Sequence, residues 1–238
     1  MSELALITGG AHRLGKAFAL SLARQGYTIA LHYHSAENEA QKTAEEIRAL
    51  GVPVYPIQAD FADVSNISSL FSTIDSIPHT LKVLVNSAAF MPSGNAFTLS
   101  LENWDMSLDL NLRAPFFLAQ EAAKRMTNGG LIVNITDVGA QKAWSRYPSY
   151  TVSKAALESL TKILARALAP TIRVNAIAPG LVLQSDIVTP EEWERLINRV
   201  PLKRPARAEE LTSALEFLIQ NEYITGQTIV VDGGYSLV

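Results

Sequence analysis

A chain of 238 residues, 48% apolar and 18% charged, is long enough to bury a large core and falls within the size range of single α/β domains. Its formal charge of −3 gives no electrostatic reason to expect nucleic acid or an anionic membrane as a partner. The absence of cysteine excludes disulfides, thiolate metal sites and cysteine nucleophiles.

Met1-Ser2-Glu3 leads directly into the apolar run Leu4–Ile7 without a basic segment, so no signal peptide is expected and the cytoplasm is the expected compartment. Short apolar or β-branched runs then alternate with amphipathic helical patterns. Leu4–Thr8, Thr28–His32 and Val52–Gln58 predict strands, followed in turn by helices at Leu14–Gln25, Ala36–Leu50 and Val64–Ile77. Leu81–Asn86 precedes one long helix at Leu101–Met126, and Gly130–Thr136 precedes Ser149–Leu168. Arg173–Ile177 is followed by helices at Pro190–Val200 and Ala208–Gln220, and Thr228–Val231 is the last strand. The late apolar stretch Ile172–Leu183 is broken by Arg173, Asn175, Pro179 and Gly180 and is too short to span a bilayer. Near-continuous apolar strands between helices imply a parallel sheet covered on both faces. The expected architecture is one α/β domain over residues 1–238, a doubly wound, Rossmann-like sheet of seven strands, with the irregular segment 181–201 as a lid over a site.

Thr8-Gly9-Gly10-Ala11-His12-Arg13-Leu14-Gly15 joins the first strand to the first helix. Glycines there allow positive φ and close backbone approach, and the helix N-terminus offers N–H groups to a pyrophosphate. Such glycines can equally be structural. The second strand ends Leu31-His32-Tyr33-His34-Ser35, with no acid to grip a ribose 2′-OH before Glu37. Arg13, His34 and Ser35 instead offer a cation and neutral donors to a 2′-phosphate, which favours NADPH over NADH. Asp60 after the third strand can accept from an adenine amino group with Phe61 beside the ring, or cap the next helix.

Tyr150-Thr-Val-Ser-Lys154 opens a helix, and a spacing of four places phenol and ammonium on one face. A nearby cation lowers a phenol's pKa from ~10 toward the range useful for proton transfer. Tyr-x-x-x-Lys alone is common by chance. Its company is not: the turn Thr8–Gly15, Asn86-Ser87-Ala88-Ala89, Asn111, Asn175-Ala-Ile-Ala-Pro179-Gly180 and Val231-Asp232-Gly233-Gly234 accompany it in order. Together they resemble the short-chain dehydrogenase/reductase family over essentially the whole chain. That resemblance implies hydride delivery from a nicotinamide, Tyr150 as proton donor, Lys154 on the nicotinamide ribose, and Asn111 anchoring a water. It also implies cofactor contacts from Gly9, His12, Arg13, Leu14 and Gly15, from Asn86, Ser87 and Ala88, and from Pro179, Gly180 and the backbone of Val182.

Three positions depart from the family pattern. Arg13 stands where glycine is usual, Ser87 replaces a second asparagine, and Asp137 occupies the place of the catalytic serine, thirteen residues before Tyr150. Asp137 with Tyr150 and Lys154, Arg13, the run His32-Tyr-His-Ser35 and the ending Asp232-Gly-Gly-Tyr-Ser-Leu237 resemble pteridine reductases and the related dihydromonapterin and dihydrofolate reductases. An arginine often found between the His and Ser of the second-strand motif is absent. A carboxylate beside a developing alkoxide opposes ketone reduction, whereas it stabilises an iminium-like cation or, once protonated, supplies the proton. Asp137 therefore suits a C=N bond, and it can accept from the N–H groups of a pterin. A structural, helix-capping role for Asp137 is the competing reading.

Phe90 can stack on a planar substrate or pack under the lid, with Met91, Trp144, Tyr147 and Trp193 as further pocket candidates. His12, His32 and His79 have no ligand spacing, so no metal is expected. The apolar Leu110, Leu112, Phe116, Phe117 and Leu118 suit simple burial or, as the resemblance implies, a helical dimer interface within a homotetramer. The leading expectation is an NADPH-dependent reductase of a small pterin or folate. A general carbonyl reductase such as a 3-oxoacyl-carrier-protein reductase, or a non-catalytic dinucleotide sensor, are the alternatives.

Overall fold

Residues 3–185 and 188–238 are described by the computed structural model. β1 (Glu3–Thr8) is followed by α1 (Arg13–Arg24), β2 (Thr28–Tyr33) by α2 (Glu37–Ala49), and β3 (Val54–Gln58) by α3 (Ser65–Asp75). β4 (Thr80–Asn86) leads into α4 (Leu101–Leu108) and α5 (Ala114–Arg125), and β5 (Gly130–Ile135) into the short α6 (Gly139–Lys142) and long α7 (Pro148–Leu168). β6 (Ile172–Pro179) precedes α8 (Pro190–Arg199) and α9 (Ala208–Gln220), and β7 (Thr228–Val231) precedes a 3-10 turn at Tyr235–Leu237. The seven strands form one parallel sheet in the order β3-β2-β1-β4-β5-β6-β7, the expected Rossmann-like winding.

Alternation along each strand feeds two cores. Ala5 and Ile7 of β1 pack with Phe18 and Leu22 of α1, Ile47 of α2 and Leu215 of α9. Leu4 and Leu6 point the other way, toward Leu70 and Phe71 of α3, Leu118 of α5 and Leu164 of α7. Burial on both faces explains why β1 is apolar at every position from Leu4 to Ile7, each large side chain contributing about 1.5–3 kcal/mol. Pro56 is tolerated inside β3 because that strand is at the sheet edge.

Strand order reverses between β1 and β4, the crevice where doubly wound sheets bind ligands. Thr8 ties the two strand ends together: its Oγ1 accepts from the N–H groups of Ser87 (2.9 Å) and Ala88 (3.0 Å).

The predicted single helix Leu101–Met126 is broken. A π turn at Asp109–Arg113 separates α4 from α5. Pro115 supplies the reason, because it has no N–H for the carbonyl of Asn111, four residues back, and its ring crowds that carbonyl. The short α6 was not foreseen. Of the expected lid segment 181–201, residues 186 and 187 lie outside the described residues. The remainder includes α8, which starts where Thr189 Oγ1 accepts from Glu192 N (3.2 Å) and Pro190 takes the first helical position. Among the described residues no helix is long and apolar enough to cross a membrane.

Candidate active site

A cavity of ≈1180 Å³ lies over the C-terminal ends of the strands, lined by the turn after β1, the end of β2, the loop after β4, the first turn of α7 and α8. At the turn, Gly9 has φ +64, and a Cβ on Gly15 would stand 2.0 Å from the Gly9 carbonyl oxygen. Only glycine lets the start of α1 close over the turn, aiming its free N–H groups into the cavity. The turn is also pinned from behind. His32, buried, accepts at Nδ1 from Gly9 N–H (3.1 Å) and donates from Nε2 to the Ala59 carbonyl (3.0 Å), with its ring stacked on Phe61 at 4.0 Å. Burial pulls His32 down to about 4, so it stays neutral and able to accept. These features form a cradle for a dinucleotide pyrophosphate.

His12, Arg13, Leu14, His34, Ser35, Asp60, Ser87 and Ala88 line the cavity, as do Pro179, Gly180 and Val182 opposite. The structure adds detail at four of the expected residues. Arg13, in a left-handed conformation at φ +54, points its guanidinium across the cavity to the carbonyls of Leu183 (2.9 Å) and Gln184 (3.2 Å), not toward His34 and Ser35. Phe61 lines the cavity as well, with its side chain largely buried and its ring stacked on His32. Asn86 is buried and does not line the cavity: its Nδ2 donates to Asn134 Oδ1 (2.8 Å), while its own Oδ1 is buried without a hydrogen-bond partner. Asp60 accepts from Ala62 N–H (2.9 Å) and lies 3.7 Å from His34, with its remaining capacity toward solvent.

The chemistry gathers at β5 and α7. Lys154, buried, donates to the Ile135 carbonyl (2.7 Å) at the end of β5, with its Nζ 5.6 Å from the centre of the Tyr150 ring. Tyr150 OH donates to Asp137 Oδ2 (2.9 Å), while Asp137 Oδ1 accepts from Gly139 N–H (2.6 Å). Asp137 thus holds the first residue of α6 with one oxygen and meets the tyrosine with the other, while the N-cap position itself is Val138. Burial pushes its carboxyl up to about 6, against the pull of the Gly139 N–H, Tyr150 and Lys154. Burial, then the charge of Asp137, hold the Tyr150 phenol well above its ordinary 10. Burial lowers Lys154 to about 8 although Asp137 pulls the other way. The expectation that Lys154 lowers the tyrosine is corrected here: burial and a carboxylate in direct contact raise it.

Asn111 is buried on the π turn. Its Nδ2 donates to the Phe90 carbonyl (2.8 Å) and to Ser153 Oγ (2.9 Å), and its Oδ1 accepts from Phe90 N–H (2.8 Å). Both amide hydrogens are spent, so any water held by Asn111 falls to the carbonyl that Pro115 leaves without its α-helical donor. The side chain clamps the backbone of Phe90, which lines the cavity together with Met91, Trp144, Tyr147 and Trp193. Sequence reasoning missed His32 as the buttress of the turn, and Lys142 and Tyr235 in the cavity wall. The signal for His32 was a polar residue in an otherwise apolar buried strand.

A glycine cradle at the switch point with a Tyr–Lys pair beside it defines a nicotinamide-dependent oxidoreductase. The family model described as enoyl-(acyl carrier protein) reductase matches residues 9–236. The chain is 34% identical over 241 residues to 3-oxoacyl-[acyl-carrier-protein] reductase FabG of Staphylococcus aureus, covering 98% of each. It is 35% identical over 247 residues to 1-cyclohexenylcarbonyl-CoA reductase of Streptomyces collinus, covering 99% of this chain and 88% of that one. Among solved structures, FolM alternative dihydrofolate reductase 1 from Brucella suis in complex with NADP matches with a TM-score of 0.93 and 35% identity, covering 99% and 95% of the two chains. The chain belongs to the short-chain dehydrogenase/reductase family and is an NAD(P)-dependent oxidoreductase.

Proposed function

We propose that this enzyme reduces the C=N bond of a dihydropterin or dihydrofolate with NADPH. The observation that carries the reading is the 2.9 Å hydrogen bond from Tyr150 OH to Asp137. Reduction of a ketone places negative charge on oxygen, and a carboxylate touching the proton donor opposes it. Reduction of C=N adds hydride to carbon and a proton to nitrogen. Asp137, raised to about 6, holds a proton below that pH and in a minor fraction of molecules at neutrality, and passes it on through or beside Tyr150. When bound, the nicotinamide supplies the hydride.

The residues fit a phosphate-bearing dinucleotide at the turn, and the absence of an acid between His32 and Ala36 favours the 2′-phosphorylated form. The NADP held by the Brucella FolM structure supports that choice. Phe90, clamped by Asn111, stands where a planar ring would stack. A homotetramer is supported by the family resemblance and by Phe116, Val152 and Ile163, which are 36%, 46% and 63% exposed on α5 and α7. A monomeric mass independent of concentration would contradict the assembly. The reaction itself is tested by NADPH oxidation with dihydrobiopterin, dihydromonapterin and dihydrofolate beside an acetoacetyl thioester. Turnover of pterins is expected; turnover of the thioester alone would make the protein a carbonyl reductase, as its FabG likeness allows.

A further inference from the structure

The far wall of the cavity carries charge that neither the cofactor nor the proton transfer uses. Glu192, Arg195 and Arg199 stand on α8 at i, i+3 and i+7, so they share one helix face, and all three line the cavity with Arg146 from the loop before α7. A single carboxylate oxygen serves two of the arginines: Glu192 Oε1 lies 2.8 Å from Arg146 and 3.7 Å from Arg195. Among the described residues no carboxylate pairs with Arg199, whose charge instead repels Lys142. Lys142 is itself occupied by the main-chain oxygens of Tyr235 and Val238. Asp232, behind it, is spent on the N–H groups of Gly234 and Ser236. Three arginines therefore face one glutamate at this wall, in a chain whose 23 acids outnumber its 20 bases. Such a surplus, next to a cavity and apart from the pyrophosphate turn, selects an anion.

We propose that Arg195 and Arg199, with Arg146, recognise an anionic tail on the substrate, and that the tail is the carboxylate-bearing end of a dihydrofolate. This assignment rests on the pterin reading above. With the pterin held at Asp137, Tyr150 and Phe90, the apolar Trp193 and Leu196 of α8 line the stretch between ring and tail. Dihydrofolate is then preferred to a dihydropterin with a neutral side chain.

Steady-state kinetics with dihydrofolate and dihydrobiopterin test this in the wild type and in an Arg195→Gln/Arg199→Gln double variant. The kcat/KM ratio of dihydrofolate to dihydrobiopterin is expected to fall about five- to tenfold in the variant, through KM. Raising the salt concentration should shrink the wild-type ratio, a readout independent of how the variant folds. An unchanged ratio in both experiments, with both pterins turned over, overturns the tail assignment and leaves the pterin reading intact. Turnover of neither pterin by the wild type overturns both. Turnover of acetoacetyl-CoA in their place, with a raised KM in the variant, gives the arginines to a phosphate-bearing thioester and overturns the carboxylate assignment.

Discussion

Asp137 holds two donors at once, the Gly139 N–H and the Tyr150 hydroxyl, and burial raises it to about 6. Because the two side chains touch, the proton belongs to the pair. Below about pH 6 the pair carries two protons. Above it only the phenol's proton remains, and a phenol held well above its ordinary range gives it up poorly. The kcat/KM for a dihydropterin should therefore fall as pH rises through about 6, an inflection that Asp137→Asn removes. A flat profile between about pH 5 and 8 would remove the carboxyl from proton transfer. Linkage has the same sign: a carboxyl raised in the folded state favours folding at low pH and loses that contribution as pH rises from 3.8 through about 6. The place of Asp137 was legible in its spacing from Tyr150. Its double hydrogen bonding was not, since nothing local in the sequence shows that Gly139 starts a helix. Arg13 is similar: its place in the turn was legible, but its reach to carbonyls about 170 positions on depends on tertiary folding.

At the scale of elements, β2 sends its buried histidine to hold the turn after β1 and the end of β3 together. His32→Leu keeps the volume apolar but leaves the Gly9 N–H and the Ala59 carbonyl without that partner, at a cost of about 1–3 kcal/mol for each group left unsatisfied. Urea unfolding should show this loss, and the KM for NADPH should rise because Gly9 shapes the cradle. Wild-type stability near neutrality with an unmoved NADPH KM would contradict the buttress. Since His32 is lowered in the folded state, its contribution is complete above pH 6.5 and disappears as pH falls toward 4. This slope opposes that of Asp137 over nearly the same window. The variant should expose the Asp137 slope alone. The broken helix around Asn111 was partly legible, because Pro115 was visible in the sequence. Helical periodicity persists through a π turn, and the unbroken apolar pattern hid the interruption.

Across the whole molecule, strand count and winding were legible because a sheet buried on both faces forces apolar runs of a recognisable length between amphipathic helices. The cofactor turn was legible for a local reason: positive φ and the contact between Gly9 and Gly15 demand glycine. The arginine wall was not, since Arg146 and Glu192 lie 46 positions apart and meet only when α8 crosses the mouth of the cavity. In the proposed reaction, one carboxylate in the place of a serine directs the hydride chemistry to a C=N bond. Its replacement is the most direct measurement: the rate of NADPH-dependent dihydropterin reduction by Asp137→Ser beside the wild type. A loss of kcat on the order of 100-fold is predicted, as for removal of a general acid. Turnover within about twofold of the wild type would contradict the account, because Tyr150 and Lys154 alone would then suffice for the reaction.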